Sequence, residues 1–420
     1  MRAWLHSLGQ LLALNRTVAV VLMAVLFFGL GEQLWEPFLG VYLAAIRAVK
    51  QEAVATATLL PATLAVIAAY ACLRQLFEAA CYMAGGQLTA RLGDRGSLLL
   101  FGSISTAGYL LFLLAPWPAV AVVAALAILG WEPLAVPVTF TTVGATVDAK
   151  NRGMAFALQS IQKRLPKILG PLIAGWVLGW AERTSGSAEA GRIAGMHYLV
   201  LIALILGVVS LVLQYVYMPE RKSVKSEVPL REVLHAFPPA LRSLLLAELF
   251  TRWCDQLVRE FVALYLLVVR QVPVEYVGAL MALQHMTALV TYLPVGRLTR
   301  QTGQAPFVGL TFVFFALFPL VLVLVPDGGW LAVAFVVYGL REIGEPARKA
   351  MITSLLPEAV RARGVGMYWG LRSVGIAPAA LVGALVWSQW GPTATFVTAF
   401  ASGCLGAAVF YLLTRRLASG

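Results

Sequence analysis

Gly86-Gln87-Leu88-Thr89-Ala90-Arg91-Leu92-Gly93 closes one apolar stretch of this chain, and Gly296-Arg297-Leu298-Thr299-Arg300-Gln301-Thr302-Gly303 closes another. The matched Gly, Leu, Thr and Gly stand 210 positions apart, half of a 420-residue chain. Working outward, Gly130 and Pro137 recur as Gly339 and Pro346 at a shift of 209, and Arg152-Gly153 recurs as Arg363-Gly364 at 211. Glu32, Phe38, Tyr42 and Leu43 recur as Asp255, Phe261, Tyr265 and Leu266 at 223. A near-constant offset over four separate segments reads as two related halves in parallel orientation. A longer central loop and a longer first outer loop account for the change of shift.

The composition says where those halves lie. Hydrophobic residues make up 60% of the chain and charged residues 12%, against nearly half and about a quarter in soluble domains. At about 20 apolar residues per crossing, the supply suits twelve spans. The apolar runs place them at 17-46, 58-88, 98-115, 119-147, 153-180, 196-218, 244-269, 275-296, 306-325, 330-354, 364-388 and 393-414. The predicted fold is an all-α membrane protein of twelve transmembrane helices in two pseudo-symmetric six-helix bundles. Residues 1-218 form the amino-terminal half, 219-243 a cytoplasmic central loop and 244-420 the carboxy-terminal half.

The net charge of +12 would point to nucleic acid in a soluble protein. Here 17 Lys and Arg fall in the segments on the side of the termini, 5 in the opposite loops and 10 inside spans, which accounts for all 32. That bias places both termini in the cytoplasm and excludes a nucleic-acid partner. The first apolar run is too long for a signal-peptide core and reads as a retained helix. Cys72, Cys81, Cys254 and Cys404 lie in apolar runs without metal-like spacing, so they read as packing residues.

A twelve-span chain of parallel halves, with a Gly-x-Leu-x-x-Arg-x-Gly loop after span two and a degenerate copy after span eight, resembles the major facilitator superfamily over essentially its whole length. The nearest branch is that of twelve-span proton-coupled antiporters and exporters. Gly86, Leu88, Arg91, Gly93 and Arg95 match the family's Gly-x-Leu-x-Asp-Arg-x-Gly-Arg-Arg motif, while Ala90 stands in place of its Asp and Asp94 in place of a basic residue. In the family that Asp helps to lock one conformation, so Asp94 is the candidate to replace it. Pro166 to Gly175 resembles the antiporter motif Gly-x-x-x-Gly-Pro-x-x-Gly-Gly through Gly170, Pro171 and Gly175, with Pro166 and Ala174 departing from it. The resemblance implies export by antiport. Read without it, the same glycines are small residues that let helices pack closely.

Ionisable residues deep in the spans carry the functional reading, because charge in the bilayer is costly and faces a cavity or a partner. Glu32, Glu36, Glu132 and Asp255 are the proton-coupling candidates. Desolvation favours the protonated form of a carboxylate, and hydration or an approaching cation reverses that. Glu36 and Glu132 each precede a mid-span proline, which removes a backbone hydrogen bond and frees carbonyls at a kink. Trp35, Arg252, Arg259, Glu345, Arg372 and His285 are the substrate-binding candidates. Arg74 and Glu78, one turn apart, read equally well as an internal ion pair.

The expected function is secondary transport by alternating access, as proton-coupled export of a small amphiphilic organic solute across a bacterial inner membrane. Uptake or exchange of an organic anion, or lipid translocation by the same fold, is the rival reading. A sensor or a membrane-embedded enzyme is the reading from another class, and the sequence holds no phosphate loop, His-Glu-x-x-His pair or nucleophile turn to support an enzyme. The expected partners are a small-molecule substrate, protons and membrane lipids, with no metal or cofactor, and the chain is expected to be a monomer.

Overall fold

The computed structural model describes residues 16–50, 61–114, 117–135, 152–218, 220, 230–357 and 361–418. Residues 136–147 of the fourth run, including Pro137, lie outside the described residues, as do residues 219 and 221–229 of the central loop. Helix lies over each of the twelve apolar runs, and no strand occurs among the described residues. The helices are α1 (Arg16–Trp35), α2 (Leu39–Lys50), α3 (Pro61–Leu114), α4 (Pro118–Leu129), α5 (Arg152–Thr184), α6 (Ala188–Tyr217), α7 (Leu230–His235), α8 (Pro239–Val258), α9 (Val262–Leu264), α10 (Val274–Thr302), α11 (Ala305–Leu324), α12 (Leu331–Leu340), α13 (Glu345–Leu355), α14 (Arg361–Ile376) and α15 (Ala379–Ala418).

By length and hydropathy, seven stretches among the described residues qualify as membrane crossings. The fifth, seventh, eighth and tenth runs fall short of that measure; the fifth, seventh and tenth are loaded with ionisable residues.

The repeat is visible in the backbone. α1 stops where Glu36 meets Pro37, and the chain makes a 3-10 turn over Glu36–Phe38 before α2. Proline has no N–H to continue the ladder. A second 3-10 turn, Arg259–Phe261, follows α8 at a displacement of 223 and leads through α9 into a π turn, Tyr265–Val269. α3 bends at Gly93, with φ of 74°, and Gly303, with φ of 80°, follows α10 at a displacement of 210. Both are backbone positions that glycine adopts without a steric penalty.

The chain forms two compact units: Met1–Pro37 with Ala80–Lys225, and Phe38–Ala79 with Ser226–Gly420. In the first, α1 packs against α5 and α6. Its core gathers Val21, Ala24, Phe28, Phe101 and Trp131, with the Phe28 and Trp131 rings stacked at 4.6 Å. Between membrane helices lipid supplies no contrast in hydrophobicity, so close approach through small residues does much of the work. Gly170 of α5 is such a residue: a Cβ there would stand 2.5 Å from Gln33 Cβ and 2.7 Å from the Gln33 carbonyl. At the motif loop, Arg95 donates to the Tyr215 carbonyl at 2.6 Å and lies 5.1 Å above its ring.

In the second unit α8 runs along α15, which also packs on α11, while α10 packs on α12. Leu241, Leu244, Val308, Phe312, Tyr368 and Phe410 belong to its core. Arg270 ties the turn after α8 and α9 to the end of α11, through Asp327 at 2.5 Å and the Val325 carbonyl at 2.8 Å. Arg74 pairs with Glu78 at 3.0 Å, the internal pair that the spacing allowed, and with Glu260 at 3.5 Å. Large apolar side chains stand exposed in both units, among them Trp176, Val212, Val290 and Leu385. An apolar exterior of this kind suits lipid better than water.

Candidate functional site

Two groups of charge lie inside the units. In the second unit, Glu248, Arg252, Asp255 and Arg259 follow one another at steps of four, three and four residues, which places them on one face of α8 and its continuation. The opposing charges come from a broken helix. α12 ends at Leu340 and α13 begins at Glu345, with Pro346 in its first turn, where a missing N–H costs nothing. The Gly344 N–H at the break donates to Thr311 Oγ1 at 2.8 Å. Arg341 therefore sits before the break and Glu345 and Arg348 after it, and both arginines meet α8.

Glu248 is fully buried. Its Oε1 accepts hydrogen bonds from Arg348 and, at 3.0 Å, from Arg372 of α14, and Arg252 Nε lies 3.5 Å away. Its Oε2 accepts from Tyr368 at 2.6 Å. Arg348 also donates to Glu345 Oε2 through Nη2 at 2.5 Å and Nε at 3.0 Å, while Arg252 Nη2 stands 3.6 Å from that oxygen. Two turns along α8, Asp255 accepts from Arg341 and, at 3.3 Å, from Tyr338. The Phe315 ring joins the two groups, with Arg252 4.7 Å and Arg341 5.0 Å from its centre. Cations over an aromatic face are attracted by its quadrupole.

In the first unit, Glu32, Gln33, Trp131, Glu132, Lys163, Pro166 and Lys167 are among the residues lining a recess of about 30 Å³, room for a water molecule or two. Lys163 stands 3.5 Å from Glu132. The fold thus gathers two of the carboxylates singled out from the sequence, one from α1 and one beyond α4, with lysines of α5.

The other singled-out residues lie elsewhere. Glu36, in the 3-10 turn, is buried, and Trp35 is fully buried against Phe112 at 5.8 Å. His285 is half-buried on α10, and Arg259 is half-buried at the end of the charged stripe. Of the motif residues, Gly86, Leu88 and Arg91 lie on the limb of α3 before the bend at Gly93, with Arg91 exposed; Asp94 and Arg95 open the next limb, with Asp94 buried. Gly170, Pro171 and Gly175 lie on α5. Glu248 and Tyr368 are centres of the second-unit group that the sequence reading did not single out. The i, i+4, i+7, i+11 spacing of alternating charge along α8 was the available signal for Glu248.

No family profile matches the chain, and no curated protein matches it. Solved structures do, over nearly the whole length. The D-xylose-proton symporter superposes with a TM-score of 0.72 at 12% identity, covering 94% of this chain and 97% of its own. The nucleoside transporter NupG gives 0.70 at 13%, covering 95% and 100%. The human organic anion transporter MFSD10 (TETRAN) gives 0.67 at 16%, covering 94% and 99%. The chain has the major facilitator fold. Within that fold the first and seventh spans correspond through the repeat, so the Glu32 recess and the Asp255 group stand on equivalent helices of the two halves.

Proposed function

We propose that this major facilitator chain is a secondary transporter that moves a small amphiphilic organic solute by alternating access, with protons exchanged for it at Glu32 and Glu132. The halves 1-218 and 244-420, joined by 219-243, are the rocking bodies in this reading, and net movement is export. The observation that carries it is the first-unit recess, where two titratable carboxylates from different helices share one cavity with Lys163 and Lys167. A carboxylate in such a place holds a proton when the cavity is dry and yields it when water or a cation enters. A lysine 3.5 Å from Glu132 supplies the competing positive charge. The partial antiporter motif around Gly170 and Pro171 supports the direction, and the fold supports the rocking of two repeats about a site near the midplane.

The test is flux into proteoliposomes under an imposed pH gradient, with a lipophilic cation, a neutral glycoside and an aromatic carboxylate as labelled probes. Glu32→Gln and Glu132→Gln are each expected to reduce gradient-driven flux at least tenfold while solute exchange without a gradient persists. Unchanged gradient-driven flux in both variants removes the two carboxylates from the coupling.

A further inference from the structure

In the second unit, the donors around Glu248 outnumber what the protein offers them. Arg348 is satisfied: its side chain is 2% exposed, and three of its nitrogens reach the two carboxylates. Arg372 spends one N–H on Glu248, and its buried Nε has no hydrogen-bond partner among the described residues. Arg252 reaches Glu248 and Glu345 at ion-pair distances of 3.5 and 3.6 Å. Both side chains keep 16% of their surface exposed, and both point at the same oxygen of Glu248, so their guanidinium groups converge.

The charges are unequal as well. The guanidinium groups of Arg252, Arg348 and Arg372 face two carboxylates, Glu248 and Glu345, whereas the single guanidinium of Arg341 meets two, Asp255 and, at 3.7 Å, Glu342. Lys349 also approaches Glu345, at 3.5 Å, but its side chain is 54% exposed, so water screens it. An excess positive charge and an orphaned N–H inside a membrane-embedded unit are both relieved by an anion with hydrogen-bond-accepting oxygens. Paired guanidinium groups suit a planar or tetrahedral oxyanion through two parallel bonds.

We infer that Arg252 and Arg372 form a binding site for a single oxyanion group, carboxylate or phosphate, held in place by a fixed frame of Glu248, Arg348 and Tyr368. Glu248 is a positioning residue in this arrangement: its carboxylate gathers the guanidinium groups that would otherwise repel one another. The inference rests on the transport reading for its purpose and narrows the solute of that reading to one with an anionic end.

Binding to the purified full-length chain in neutral detergent tests it without any flux. The probes are benzoate, inorganic phosphate and phosphatidylglycerol, read by intrinsic tryptophan fluorescence and by thermal unfolding. Saturable binding of benzoate or phosphate is expected. Arg252→Gln and Arg372→Gln each weaken it at least tenfold, and Arg372→Lys weakens it too, because the fork is lost while the charge stays. Arg192→Gln, which removes a positive charge paired with Glu182 in the first unit, leaves it unchanged. Saturation by phosphatidylglycerol alone keeps the oxyanion site and assigns it to a lipid headgroup. Absence of saturable binding for all three probes overturns the site, as does binding by both Gln variants as tight as that of the unaltered chain; Arg372→Lys serves if the Gln variant does not fold. Loss of binding leaves the flux experiment on Glu32 and Glu132 untouched, and loss of flux leaves the binding result untouched.

Discussion

Glu248 has no exposed surface and depends on its neighbours for every hydrogen bond. Taking a carboxylate out of water is expensive unless opposite charge and donors replace the lost solvation. Arg348 is the tightest of those replacements and has almost no contact with solvent itself. Arg348→Gln is expected to destabilise the chain by about 3–5 kcal/mol, the usual effect of leaving a buried charge without its partner, read as a large fall in detergent unfolding temperature. Arg372→Gln, whose side chain contributes one bond to Glu248, is expected to cost far less; equal losses would contradict the division into frame and fork. These roles were only partly legible in the sequence. Arg252, Asp255 and Arg372 stand out because charge is rare in a span, whereas Glu248 lies near the start of the apolar run at 244, where a charge reads as a span boundary. Nothing in a linear sequence tells which of Arg252, Arg348 and Arg372 is packed tight and which keeps spare donors, because that depends on how α8, α13 and α14 meet.

At the scale of elements, breaks decide where charge goes. The turns over Glu36–Phe38 and Arg259–Phe261, and the gap between α12 and α13, interrupt helices at places where ionisable residues change direction. Pro37 announces the first of these in the sequence, whereas the turn after α8 and the gap after α12 come from the structure alone. The glycine motif of α5 was legible as a motif, but its closest contact was not: the pairing of Gly170 with the backbone of Gln33 is a property of two helices far apart in sequence. Gly170→Ala is expected to cost about 1–3 kcal/mol, because the facing atoms include backbone and the helices must separate. Gly186, with nothing within 4 Å of its Cβ position, is expected to accept Ala within about 0.5 kcal/mol. Thermal unfolding of the two variants side by side measures the difference; equal stability would show that α1 and α5 separate without cost.

For the molecule as a whole, twelve apolar runs and a 210-residue offset were enough to read the all-α class and the major facilitator fold, since length, hydropathy and repetition are written directly along the chain. The packing of residues 38–79 with the second unit was not, because nothing local to that segment states its neighbours. The charges of the fold also meet a force that acts on the entire molecule at once. A single charge crossing a membrane gains or loses about 2.3 kcal/mol per 100 mV, so any charged helix that shifts during a cycle senses voltage. The stripe on α8 and its continuation runs negative, positive, negative, positive through Glu248, Arg252, Asp255 and Arg259, and its sum is zero. A shift of that stripe along the membrane normal is therefore electrically silent to first order. Currents recorded from the reconstituted protein at stepped potentials should show no charge displacement in the absence of solute and a proton gradient; a displacement without cargo would mean that charges outside this stripe move through the field.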